Sequence, residues 1–319
     1  MRAGRATTKK DHAILEKTGN LMPVSKRPFA MSFAAFSLFS AVPSSFAQEV
    51  RVGRYYELET KYLFGFTEGA DIGVQGEKEI ESETKAGLGM RGGKFRAVEQ
   101  ELAFDNYTSQ YWMYEFAVHG LWNQINNVEG LDNRNSANFL GLSWKPKFLI
   151  VGRGPGSPIG LSISIEPEWG KIDGTGGGHE TSFSMETRLA ADTELIPNML
   201  YAAINLIYEP EVSRAPGDAN WSRASGFGAT AAMAYRVTPK VTLGGEAEYY
   251  RAYEGFGCNT LDGSAFYLGP TLHVQFTPKV FLNAAWSTQV AGHAAGEPGN
   301  LDLTNFPRQR ALLGLHYEF

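Results

Sequence analysis

From Ile159 onward the odd positions are apolar (Ile159, Leu161, Ile163, Ile165, Pro167, Trp169), and the even ones are small or polar (Gly160, Ser162, Ser164, Glu166, Glu168). A period of two belongs to a strand with one face against an apolar phase. The beat returns in Phe183, Met185, Leu189 and Ala191 against Ser182, Ser184, Glu186, Arg188 and Asp192, and again in Leu200, Ala202, Ile204, Leu206 and Tyr208. It also sets Phe266, Leu268, Pro270, Leu272, Val274 and Phe276 against Tyr267, Gly269, Thr271, His273 and Gln275, and Leu282, Ala284 and Trp286 against Asn283, Ser287 and Gln289. Alternation alone also describes a soluble sandwich, so the connections decide. Short ones carry Pro (195–198, 237–240, 276–279) and take turns with long ones rich in Gly, Asp and Asn (171–178, 210–222, 254–263, 291–307). Short turns on one side and long loops on the other are the plan of a transmembrane barrel. No run of about 20 apolar residues, the length of a spanning helix, follows position 50.

The predicted fold is therefore all-β, an antiparallel up-and-down transmembrane β-barrel. Counting back from Phe319 places strands near 308–319, 280–290, 264–276, 240–253, 223–236, 199–209, 179–192, 158–169, 137–149, 111–124, 95–106 and 79–90. Segment 55–66 alternates too (Leu58, Tyr62, Phe64, Phe66 against Glu57, Glu59, Lys61) and would make an odd count. Bacterial single-chain barrels have even numbers. The expectation is about 12 strands with 55–66 outside the wall, folded against or into the lumen; 14 strands is the alternative. Trp112, Trp144, Trp169, Tyr208, Tyr235, Tyr249 and Trp286 near strand ends suit an interfacial girdle.

In 313–319, Leu313, Leu315, Tyr317 and Phe319 share one face. Gly314, Tyr317 and the terminal Phe319 resemble the C-terminal assembly signal of Gram-negative outer-membrane barrels. That resemblance implies the bacterial outer membrane as location, its lipid as surroundings and its insertion machinery as a partner. The overall plan more loosely resembles transporter-like barrels found with aromatic-compound breakdown pathways.

Lys26 and Arg27 precede the apolar stretch Phe29–Val42, and Ser45-Phe46-Ala47 suits a small-x-small cleavage site, the order of a secretory signal. The predicted division is an N-terminal extension and cleaved signal over 1–47 (with Met22 a candidate start), an N-terminal segment or extra strand over 48–78, and the barrel over 79–319. Residues 1–47 hold seven basic and two acidic side chains; without them 22 basic face 32 acidic residues, a net charge of −10. That balance argues against nucleic acid as a partner. The single cysteine, Cys258, has no internal partner for a disulfide.

If the apolar faces meet lipid, the opposite faces line a lumen. About fifteen acids fall there on the strands that can be phased (Glu79, Glu81, Glu83, Glu99, Glu101, Asp105, Glu115, Glu166, Glu168, Glu180, Glu186, Asp192, Glu246, Glu248, Glu318), against Lys85, Arg188, Arg308 and Arg310. Carboxylate-lined pores favour cations. The expected function is a channel or facilitated transporter for small solutes, cationic or neutral, aromatic compounds among them. Glu166, Glu168, Glu186, Arg188, Glu246, Glu248, Tyr267, His273, Gln275 and Arg310 would line the path. The alternatives are a structural or adhesive barrel with ligand-binding loops and, third, an outer-membrane hydrolase or acyltransferase. His119, His273, His316 and Ser287 face the predicted lumen, but sequence alone brings no nucleophile to a base. His179 and His293 lack further ligands at metal spacing. The Gly runs at 152–156 and 174–178 lie between strands with no helix to complete a phosphate cradle. No catalytic group, metal or cofactor is expected, and oligomeric state stays open.

Overall fold

The computed structural model describes residues 58–154 and 157–319. Twelve strands make up most of it: β1 (Lys78–Leu88), β2 (Lys94–Ser109), β3 (Trp112–Asn126), β4 (Arg134–Val151), β5 (Ile159–Ile172), β6 (His179–Ile196), β7 (Leu200–Arg214), β8 (Ser222–Thr238), β9 (Val241–Glu254), β10 (Thr260–Thr277), β11 (Val280–Ala294) and β12 (Gln309–Glu318). Each pairs antiparallel with its sequence neighbours, and β1 pairs with β12 from Glu79↔Glu318 to Leu88↔Gln309, closing the barrel. Closure leaves no unpaired strand edge, which the membrane interior requires. The strands are those expected from alternation, several of them extended by a few residues.

Tight turns at 110–111, 197–199, 239–240 and 278–279 lie at the end where β1 starts and β12 stops, together with the connection 152–158. The connections 89–93, 127–133, 173–178, 215–221, 255–259 and 295–308 lie at the other. Short turns mark the periplasmic end and long loops the extracellular one. The exterior carries exposed Phe116, Leu142, Leu189, Ile204, Leu206, Met233, Leu243, Leu268, Val290 and Leu313, whereas buried Glu81, Glu101, Asp105, Glu115, Lys147, Asp192 and Glu248 face inward. Apolar outside and charged inside is the inverse of a water-soluble domain, and it suits a lipid-bathed wall around a polar lumen. The chain is an outer-membrane β-barrel of twelve strands.

The segment before β1 is not a thirteenth strand. Residues 58–73 lie inside the lumen, running up from the periplasmic end and back to it, and exposed residues 74–76 lead from there into β1. Leu58, Leu63 and Phe64 pack on Tyr201 and Ala203 of β7 and on Ala232 and Ala234 of β8. Phe66 rests on Ala285 and Leu312, and Ile72 on Tyr107 and Met113. The two legs meet at Gly69, whose N–H donates to the Lys61 carbonyl at 3.4 Å and whose missing Cβ leaves room for the Thr60 carbonyl. The return leg passes Gly73 (φ +81°), where a Cβ would come within 2.5 Å of the Tyr107 ring; only glycine fits both the backbone and the space. The predicted signal region, 1–47, lies outside the described residues.

Candidate functional site: the barrel lumen

A non-helical chain inside a barrel must find partners for its backbone polar groups, and here wall side chains supply them. Asn205 of β7 acts almost as a neighbouring strand would: its Oδ1 accepts from the Glu68 N–H and its Nδ2 donates to the Glu68 carbonyl, both at 2.8 Å. Lys147 donates to the Gly69 carbonyl at 2.8 Å and Arg188 to that of Phe66 at 3.2 Å. The Thr67 N–H donates to Glu246 at 3.1 Å, and the Ala70 N–H to Asp192 at 2.8 Å. The Thr60 hydroxyl also donates to Asp192.

Charge holds the segment at three points. Glu68 sits among Lys145 (2.9 Å), Lys147 (3.4 Å) and Arg188 (3.5 Å). Burial alone would raise its pKa, but Lys145, Arg188 and Lys147 outweigh burial and hold the carboxyl well below the usual carboxylate range. Lys61 pairs with Asp105, which also accepts from the Tyr62 hydroxyl at 2.9 Å. Arg153 bridges Asp192 (2.8 Å) and Asp71 (3.2 Å), tying the returning leg to the wall.

The expected path residues all project inward, into two different settings. Glu246 and Glu248 are buried on β9. Glu246 is spent on Thr67, while Glu248 binds Arg310 at 2.5 Å and Tyr250 at 3.0 Å. The Arg310 guanidinium lies 4.0, 4.8 and 5.7 Å from the ring centres of Phe66, Tyr250 and Tyr267. Tyr267 donates to the Pro307 carbonyl at 2.5 Å, and Gln289 holds Asp302 by two hydrogen bonds, so the 295–308 loop is docked on the wall. His273 is buried beside Phe281, and Gln275 is half-buried near the periplasmic turn.

Glu166, Glu168, Glu186 and Arg188, by contrast, stand on β5 and β6 with part of their surface in solvent. Side chains of Lys85 (41%), Glu99 (29%) and Glu186 (23%) keep substantial exposure although they point inward. The lumen is therefore wet on the β1, β2, β5 and β6 sides.

Three cations absent from the expected tally, Lys145, Lys147 and Arg153, also turn inward and offset part of the acidic surplus. Lys145 and Lys147 alternate with outward Trp144, Pro146 and Phe148, a phase that the Lys-Pro-Lys run conceals. Arg153 sits beyond β4 in what reads as a Gly turn.

Three groups bring potential metal ligands within 4.8 Å of each other: Glu79, Glu81 and His316; Glu99, Glu101 and His119; Glu81, Asp105 and Glu115. Both nitrogens of His316 are hydrogen-bonded, to Glu79 and Asn283, and both of His119, to Glu99 and Ser143. Asp105 already carries Lys61.

A family model described as a family of unknown function (DUF6662) matches residues 57–319. The chain belongs to that family. No curated protein matches. Among solved structures it is similar to the COG4313 outer membrane channel from Pseudomonas putida F1, at 10% identity and TM-score 0.53, covering 78% of this chain and 98% of that one. It is less similar to the β domain of the Bordetella autotransporter BrkA (14% identity, TM-score 0.48, 76% and 98% covered). A KdgM porin in complex with disordered oligogalacturonate gives 12% identity, TM-score 0.44, and 76% and 99% covered. At these identities the likeness is one of fold, and these names do not bear on aromatic-compound breakdown. The matched span of the family holds the lumen segment from Leu58 as well as the wall.

Proposed function

We propose that this family member is an outer-membrane channel or facilitated transporter for small solutes, with residues 58–73 narrowing its lumen. The observation that carries this reading is the partly solvent-exposed charge inside a closed barrel: Glu99, Glu166, Glu168 and Glu186 stand in water within the wall. A purely structural barrel of this size gains nothing from keeping carboxylates wet inside. Cationic or neutral solutes suit this acidic side. The Arg310 guanidinium, held against Phe66 and Tyr250 with a quarter of its side chain exposed, offers a planar cation to an aromatic solute passing the segment. Single-channel recording in planar bilayers tests the proposal. Conductance with a cation preference is expected, and Glu166→Gln, Glu168→Gln and Glu186→Gln together should bring that preference close to unity. Silent bilayers with no solute uptake by liposomes would overturn it.

A second reading, hydrolysis, draws support from one relay. His119 Nδ1 lies 3.0 Å from Glu99 Oε1 and its Nε2 3.0 Å from Ser143 Oγ, the atom order of an acid–base–nucleophile triad. Covalent labelling by a fluorophosphonate, lost in Ser143→Ala, would favour this reading; an unlabelled wild-type protein would remove it.

A further inference from the structure

Seven inward cations are paired with carboxylates: Lys61, Lys85, Lys145, Lys147, Arg153, Arg188 and Arg310 each have one within 4.0 Å. Four cations at the extracellular ends of β5, β7, β8 and β9 behave differently. Lys171 shares the outward phase of Leu161 and Trp169, and Arg214 that of Leu206 and Tyr208. Arg223 is registered opposite Val212, and Arg251 opposite Phe227. All four are exposed, and no carboxylate of the described residues lies within ion-pair distance of them.

Each instead lies on an aromatic ring. Lys171 is 5.3 Å from the centre of Trp169, Arg214 4.8 Å from Trp221, Arg223 5.8 Å from Phe256 and Arg251 5.5 Å from Tyr249. Arg251 also donates to the hydroxyls of Tyr249 (2.7 Å) and Tyr253 (3.3 Å). Trp221 itself packs on outward Phe183 of β6, with ring centres 6.0 Å apart, so the intervening strand continues the patch. Aromatic rings sit at headgroup depth in barrels. A cation stacked on such a ring is held at that depth, with the N–H groups that it does not already use (Nη2 of Arg251 among them) left to bond a neighbouring anion. Clustered Lys and Arg at a membrane interface recognise anionic headgroups, and the guanidinium fork matches phosphate oxygens.

The geometry points to a binding site for the phosphorylated headgroup of an outer-leaflet glycolipid, formed by Lys171, Arg214, Arg223 and Arg251 on the outer wall of β5–β9. The site is independent of transport, because none of these side chains faces the lumen. The acyl chains of the lipid would lie along the apolar surface below it, over Leu189, Ile204, Leu206 and Met233.

The test is native mass spectrometry of the detergent-purified full barrel, titrated with diphosphoryl lipid A and with the same lipid after phosphate removal. The wild type should retain the phosphorylated lipid at least tenfold more tightly than the dephosphorylated one, and millimolar inorganic phosphate should leave the adduct in place. Arg214→Gln, Arg223→Gln and Arg251→Gln together should lower the affinity at least tenfold. Heat-modifiable gel mobility reports whether that variant is folded, and R214Q alone, at a strand end, should weaken binding about twofold to threefold. Lys240→Gln with Lys279→Gln, at the opposite rim, should bind as wild type. Equal binding of the two lipids, displacement by phosphate, wild-type binding by the folded triple variant, or an equal loss in the opposite-rim variant would each overturn the assignment.

Discussion

His316 of the last strand lies with its Nδ1 2.7 Å from Oε1 of Glu79 on the first. The seam that closes the barrel is thus joined by side chains as well as by backbone pairing. Nε2 of the same ring meets Asn283 Oδ1 at 2.9 Å, extending the link to β11. Tyr107 donates to the other oxygen of Glu79. His316→Leu would leave Glu79 buried with one strong partner removed, and breaking a buried charged hydrogen bond of this kind costs about 2–4 kcal/mol. The expected outcome is a lower urea midpoint for unfolding of the detergent-solubilised barrel, with secondary structure retained below that midpoint.

Gly314 turns inward on β12, where an added Cβ would run into the Asn283 carboxamide oxygen and lie 2.7 Å from His316 Nε2. Both belong to the seam relay and cannot give way without loosening it. Gly314→Ala should therefore cost about 1–3 kcal/mol, as overpacking does, and lower the yield of heat-modifiable barrel in an outer-membrane fraction. The glycine of the terminal pattern has a local steric reason alongside any role in recognition.

Glu68→Gln should loosen the lumen segment. Lys145, Lys147 and Arg188 would lose their common counter-charge, at a cost of about 3–5 kcal/mol. Larger conductance and faster protease cutting within 58–73 are the measured outcomes. A change in cutting without any change in conductance would separate anchoring from gating.

The same residue sets a pH dependence. Its pKa is lowered on folding, so its contribution is complete above the ordinary carboxylate value of 4.5 and is lost as pH falls well below it. Segment release, followed by protease access, should rise at pH values well under 4.5, and Glu68→Gln should remove that step.

On the lipid face, Leu206 is half exposed on β7 between Leu189 and Ala229. Leu206→Arg there should cost about 2–4 kcal/mol if it lies near the bilayer midplane. Reversible unfolding in lipid vesicles measures it, and Glu168→Arg on the inner face of β5 should cost less because water reaches it.

Most of the wall was legible because lipid outside and charge inside impose a period of two, so residues such as Ile163 and Glu166 declare their sides. The lumen segment was harder, since Leu58, Tyr62, Phe64 and Phe66 alternate as a strand does. Its receptor was nevertheless written in β8, where Ala229-Thr-Ala-Ala-Met-Ala-Tyr235 is apolar on both faces. An inward apolar stripe (Ala232, Ala234) on a barrel strand needs something greasy inside, and Phe64 supplies it. Lys145 and Lys147 escaped because Pro146 interrupts the apolar phase between Trp144 and Phe148. Arg153 reaches Asp71 and Asp192 from a turn, and no periodicity reports on such a contact.

The lumen segment leads directly into β1, and Tyr62 within it packs against His316 of β12 with ring centres 4.1 Å apart. The strand that completes the ring therefore also touches what the ring encloses. A barrel that shut while empty would lack part of its own fastening, so cargo and clasp are sewn in the same stitch.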